Sequence, residues 1–66
     1  MKKFRVWHNT DGTIDTPEEM KWDYEIGDVI TVNSYTNQYK CMSIEKKGGN
    51  IYYHFKQGKM VYTYNW

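Results

Sequence analysis

The chain reads as an all-β protein: one small SH3-like barrel, residues 1–66, of about five antiparallel strands with at most one short helical turn near Pro17. Three observations predict this. The 66 residues include no leucine and no alanine, so two of the best helix formers are missing, while Ile, Val, Tyr, Trp and Phe supply the apolar content. Apolar residues recur with a period of two in several stretches. Gly-containing turn signals, Asp11-Gly12, Gly48-Gly49 and Gln57-Gly58, separate those stretches.

Along the chain, Lys3-Phe4-Arg5-Val6-Trp7 is the first strand, with Phe4 and Val6 expected inward and Trp7 on the Lys3/Arg5 side. Asn9 to Gly12 is a turn. Thr16-Pro17-Glu18-Glu19 has the form of a helix start, but Met20, Trp22, Tyr24 and Ile26 then alternate with charged residues, so the helix stops within one turn and extended chain follows. Four of the five residues from Val29 to Asn33 are β-branched, so this strand is expected to be buried on both faces or nearly so. Asn33 to Gln38 reads as a turn, Tyr39 to Lys46 as a strand, and Lys47 to Asn50 as a hairpin turn.

The last two hairpins specify a register. A two-residue turn at Gly48-Gly49 pairs Lys47 with Asn50, Ile44 with Tyr53 and Met42 with Phe55. A turn at Gln57-Gly58 pairs Lys56 with Lys59, Phe55 with Met60 and Tyr53 with Tyr62. Together they place Met42, Ile44, Ile51, Tyr53, Phe55, Met60, Tyr62 and Tyr64 on an inner face. The outer face is then Tyr39, Cys41, Ser43, Glu45, Tyr52, His54, Lys56, Val61, Thr63 and Asn65.

Trp22 to Val32 resembles the stretch of SH3-like domains that runs from the first long loop into the next strand, through the spacing Tyr24-x-x-Gly27-Asp28-x-Ile30-x-Val32. The match covers about a sixth of the chain. The peptide-binding members' Ala-Leu-Tyr-Asp-Tyr run, tryptophan pair and late proline are absent, so the resemblance does not extend to proline-rich ligands. The RNA-binding aromatic motifs of the cold-shock domains are absent too. In size and basic-aromatic make-up the chain resembles small phage- or prophage-encoded proteins, many of which grip a host factor.

Charge is unevenly spread behind a net +1. Residues 1–10 carry +3, residues 11–28 carry seven acids against Lys21, and residues 29–66 carry five lysines against Glu45. The acidic segment either solvates a long loop or offers a surface to a basic partner. The single cysteine rules out an internal disulfide and suits a reducing compartment, so a cytoplasmic location is expected, the host cytoplasm if the chain is phage-encoded. No apolar run long enough for a signal peptide or a membrane helix occurs.

Catalysis is not expected. There is no phosphate loop and no nucleophile elbow, and a Cys41–His54 pair on the outer face lacks a third orienting group. No cofactor is implied. His8, His54, Cys41, Asp11 and Asp15 do not have the paired spacing of a structural zinc site, and the acids miss the EF-hand pattern. The expected function is a non-enzymatic binding module acting on another protein. Its candidate binding residues are Tyr39, Tyr52, His54, Lys56 and Thr63 on the outer face, with Trp7 beside Arg5 as a contact patch. Self-association through an edge strand is a special case. The alternative partner is single-stranded nucleic acid, with rings stacking bases and lysines meeting phosphates.

Overall fold

The computed structural model describes residues 1–32, 37–60 and 64–65. Among them there are seven strands and no helix: β1 (Lys3–His8), β2 (Glu18–Met20), β3 (Val29–Val32), β4 (Asn37–Lys47), β5 (Asn50–Gln57), β6 (Lys59–Met60) and β7 (Tyr64–Asn65). The first five make one curled sheet, a half-barrel, in the order β2-β1-β5-β4-β3, while β6 and β7 pair in a separate two-stranded sheet. The all-β expectation holds, with one difference in strand direction. β1 lies parallel to β5, from Lys3 beside Ile51 to His8 beside Lys56, so the five-stranded sheet is mixed.

The central hairpin forms where expected. Gly48 and Gly49 have φ of 59° and 79°, the left-handed pair that lets a two-residue turn follow the twist of its strands. Lys47 pairs with Asn50 and Ile44 with Tyr53. Beyond Ser43 the regular ladder is interrupted. Met42 is the extra residue of a bulge, so Cys41, not Met42, stands opposite Phe55. The shift reverses the predicted faces: Tyr39 and Cys41 turn into the core and Met42 is 45% exposed. A regular ladder would have sent Met42 and Lys40 inward. The bulge sends a tyrosine and a cysteine inward instead, and Lys40 to the other face.

The core is Tyr39, Cys41, Tyr53 and Phe55, with Trp7, Met20, Tyr24, Ile30, Val32 and Ile51 packed around it. Trp7 meets Tyr39 at 4.1 Å and Phe55 at 5.1 Å between ring centroids. Trp7 therefore faces the Tyr39–Phe55 cluster, where it was expected to point away; Val6 is buried as expected, but with Phe4 it lies on the other face. Parallel pairing explains why: it sets Trp7 beside Phe55, and Phe4 and Val6 beside Tyr52 and His54. Val6 is buried on this second face.

Other expectations are revised as well. Residues 18–20 form an edge strand instead of a helical turn, because Glu18 finds a cross-strand partner in Arg5, 2.8 Å away. β3 is buried on one side only, with Val29 49% exposed. The terminal hairpin at Gln57-Gly58 does not form: Lys59 pairs with Asn65 and Met60 with Tyr64, and the place beside β5 belongs to β1. Tyr62 lies outside the described residues. Lys3 and Asp23 meet at 2.7 Å, so the basic first strand and the acidic segment are joined by two ion pairs.

Candidate functional site

Two places carry exposed side chains with chemistry to offer. The first is the loop from Lys21 to Asp28, between β2 and β3. Asp23 pins it by its ion pair with Lys3 and by accepting a hydrogen bond from the Tyr53 hydroxyl at 3.2 Å. That bond with Lys3 holds the Asp23 carboxyl below its ordinary range. Tyr24 sets its ring edge-on against Tyr53 and Phe55. At the far end the Gly27 amide donates to Cys41 O at 2.8 Å, the Cys41 amide donates to Asp28 O, and the Asp28 carboxylate accepts from the Glu25 amide. Ile26, between these anchors, is 68% exposed, and Trp22, immediately before Asp23, is 65% exposed. The loop is short, tied at four residues, and apolar on its outside.

The second place is the sheet face opposite the core. Phe4 stacks on Tyr52 at 5.1 Å with 15° between ring planes. His8 Nε2 meets His54 Nδ1 at 2.9 Å, and His54 Nε2 reaches Glu45 Oε1 at 3.1 Å. Beside them is a cavity of about 370 Å³ lined by His8, Asn9, Met42, Ser43, His54 and Lys56. Partial burial and the neighbouring His54 push the His8 imidazole below its ordinary pKa.

The predicted site residues divide between these faces. Tyr52, His54 and Lys56 share the second face, as expected. Tyr39 is buried in the core, its hydroxyl donating to Asn9 Oδ1 at 3.1 Å, and burial pushes its phenol up. Trp7 belongs to the core face too. Arg5 lies over the Trp7 ring at 5.1 Å while both Nε and Nη2 donate to Glu18. That guanidinium is already engaged within the chain. Thr63 lies outside the described residues.

Cys41 is fully buried and opposite Phe55, on the other side of the sheet from His54, so the two do not meet. Burial pushes its thiol up, which disfavours the thiolate. Asp11 accepts from the Thr13 amide and hydroxyl, and Asp15 accepts from Asn9, so these acids close a loop. Among the described residues no group of three His, Cys, Asp or Glu side chains could hold a metal, and no helix is long and apolar enough to cross a membrane.

Sequence reasoning missed His8 as a partner of His54 and Phe4 as a partner of Tyr52. Both follow from the parallel β1–β5 register, for which no local signal exists. The exposed Trp22 and Ile26 carried a fainter signal, since both alternate with acids through a stretch that ends at a glycine. No protein-family model, curated protein or solved structure matches this chain.

Proposed function

We propose that the chain is a non-enzymatic binding module that engages another protein through the Trp22–Ile26 loop. The observation that carries this reading is the anchored loop itself: a tryptophan and an isoleucine held in solvent by a frame that is already ordered. A large rigid side chain whose support is in place loses little freedom on docking, which is why tryptophan is enriched at interface hot spots. The surroundings specify the partner's chemistry. Glu25 and Asp28 flank Ile26 within the acidic segment, so the complementary surface is an apolar recess rimmed by lysine or arginine.

A partner captured by the wild-type chain is expected to be lost when Trp22 and Ile26 are changed to Ser, with the fold unchanged by circular dichroism. Truncating a hot-spot tryptophan costs at least about 2 kcal/mol, roughly thirty-fold in affinity. A Tyr52→Ala/His54→Ala chain should keep that partner. The reverse pattern would refute the loop assignment.

The finer features of the reading are an SH3-like kinship and a phage-type role, gripping a host factor in the host cytoplasm. The Tyr24-x-x-Gly27-Asp28 spacing ahead of β3 supports the first, and size and composition alone support the second. Self-association by strand addition is the special case in which the partner is another copy, and β2 and β3 are the edges of the five-stranded sheet.

One observation favours single-stranded nucleic acid as a second reading: the Phe4–Tyr52 stack shares its face with Lys40 and Lys56. Glu19 and Glu45 on the same face weigh against it. A gel shift at low salt that weakens steeply as salt rises supports this second reading, and none with either DNA or RNA ends it.

A further inference from the structure

The second face holds a cluster that the docking loop does not use. His8 and His54 sit one diagonal step apart on the parallel strands β1 and β5, and Glu45 stands on β4 beyond them. We propose that His8, His54 and Glu45 form a one-proton latch between β1 and β5, which holds with zero or one added proton and releases when both imidazoles are charged.

Donor and acceptor accounting gives the reason. The Glu45 carboxylate only accepts, so His54 presents Nε2–H to it across 3.1 Å. In the neutral state His54 Nδ1 is then a lone pair, and His8 must donate Nε2–H to it across 2.9 Å. One added proton leaves both bonds intact. It can rest on His8 Nδ1, or on His54 Nδ1 with His8 Nε2 becoming the acceptor and His8 carrying its hydrogen on Nδ1. The second arrangement sets the imidazolium against Glu45. A second proton ends the contact, because both facing nitrogens then carry hydrogens and both rings carry charge. The pair must separate along the edge of the cavity lined by Met42, Ser43 and Lys56.

The charged groups around the cluster divide by sign: the lysines on this face disfavour added protons and the Glu45 carboxylate favours one. Lys56 lies beside His8 in the strand register, and Lys40 lies opposite Lys56. Glu45 is the acid that β4 directs to this face at the cluster. Tyr52 stands opposite Glu45, and Glu19 of β2 faces Phe4 at the far end of β1. The Asn9 amide is committed to Thr13, Asp15 and Tyr39. Partial burial and His54 already depress the His8 pKa. A metal reading has less support, since the facing nitrogens meet at hydrogen-bond distance and no third ligand converges on them among the described residues.

The sign of the pH dependence follows. A depressed histidine pKa means that the unfolded chain takes up protons before the folded one does. Stability is therefore full above the ordinary value near ~6.5 and is lost as pH falls through the lower folded value. The test is an imidazole NMR titration of the intact chain from about pH 8 to about pH 5, the range in which histidines change charge, with thermal melts across the same range. The expected result is Nε2–H on both rings at high pH and two coupled steps, the second below the ordinary histidine range, accompanied by a falling Tm. His8→Phe should abolish the coupling and flatten the fall in Tm. Glu45→Gln, at a half-exposed position, should lower the first step, and it serves if His8→Phe does not fold. Two independent steps at the ordinary value, or a first step unmoved by Glu45→Gln, would overturn the latch.

Discussion

Phe55 is where the largest number of structural decisions meet in one side chain. It is fully buried, it faces Cys41 across the hairpin and Trp7 across the parallel pair, and Tyr24 closes over it edge-on. Few other side chains in a chain of this length can match that burial, because a small domain buries a smaller share of its surface than a large one. Removing a buried phenylalanine ring costs about 3–5 kcal/mol in lost transfer energy and cavity formation. Small domains are held by a net of only about 5–15 kcal/mol, and one of this size belongs at the low end. Phe55→Ala is therefore expected to abolish the cooperative thermal transition seen by circular dichroism. A transition that survives with a shift of only a few degrees would mean that the core lies elsewhere. Tyr52, three residues earlier on the same strand, points to the other face, so Tyr52→Ala is the matched control.

At the level of elements, the bulge at Met42 decides which half of β4 belongs to the core. The parity of Ile44 with Tyr53 and the turn at Gly48-Gly49 were legible, because alternation and a double glycine both have local signatures. The bulge was not. An extra residue leaves no mark in composition, and a regular ladder extrapolated from the turn assigns Tyr39 and Cys41 to the wrong side. The same limit applied to β1. Phe4 and Val6 alternate with Arg5 and Trp7, so both faces of the strand are apolar enough to go inward, and the choice was made by β5, far away in sequence. For the second face this meant that Tyr52, His54 and Lys56 were placed on one side together and His8 was not placed with them. The bulge gives a sharp test. Deleting Met42 restores a regular ladder with Cys41 still opposite Phe55, so both faces keep their residues and the chain should fold with a modest change in Tm. Deleting Lys40 makes Tyr39 and Cys41 adjacent and forces one of them out of the core, so that chain should melt far earlier or not fold. Equal loss in the two deletions would show that the bulge itself, not the facing it sets, is what the fold requires.

Across the whole molecule, stability should be graded outward from β5. That strand is paired on both sides, by β1 and by β4, and it carries Tyr53 and Phe55. The edges differ in kind: β2 has three residues and β3 has four, with Val29 half exposed. The ion pairs that tie β2 and the loop from Lys21 to Asp28 to β1 involve partly exposed side chains, and such pairs contribute about 0.2–1 kcal/mol each. An edge opens by giving up those weak terms and partly buried side chains, Met20 on β2 or Ile30 and Val32 on β3, whereas separating β5 from its neighbours gives up Phe55, Tyr53 and Trp7 together, which amounts to global unfolding. Native-state hydrogen exchange should therefore find the amides of Tyr53, His54 and Phe55 protected to the limit of the global free energy. Amides of Glu18 to Met20 and of Val29 to Val32 should exchange sooner through local opening. Added salt should speed exchange in β2, where the ion pairs are screened, and leave β5 nearly unchanged. If β3 proved as protected as β5, this edge would be covered in solution, by another copy or by residues of the chain beyond the five-stranded sheet. A concentration series would separate the two, since protection by another copy grows with protein concentration and protection within the chain does not.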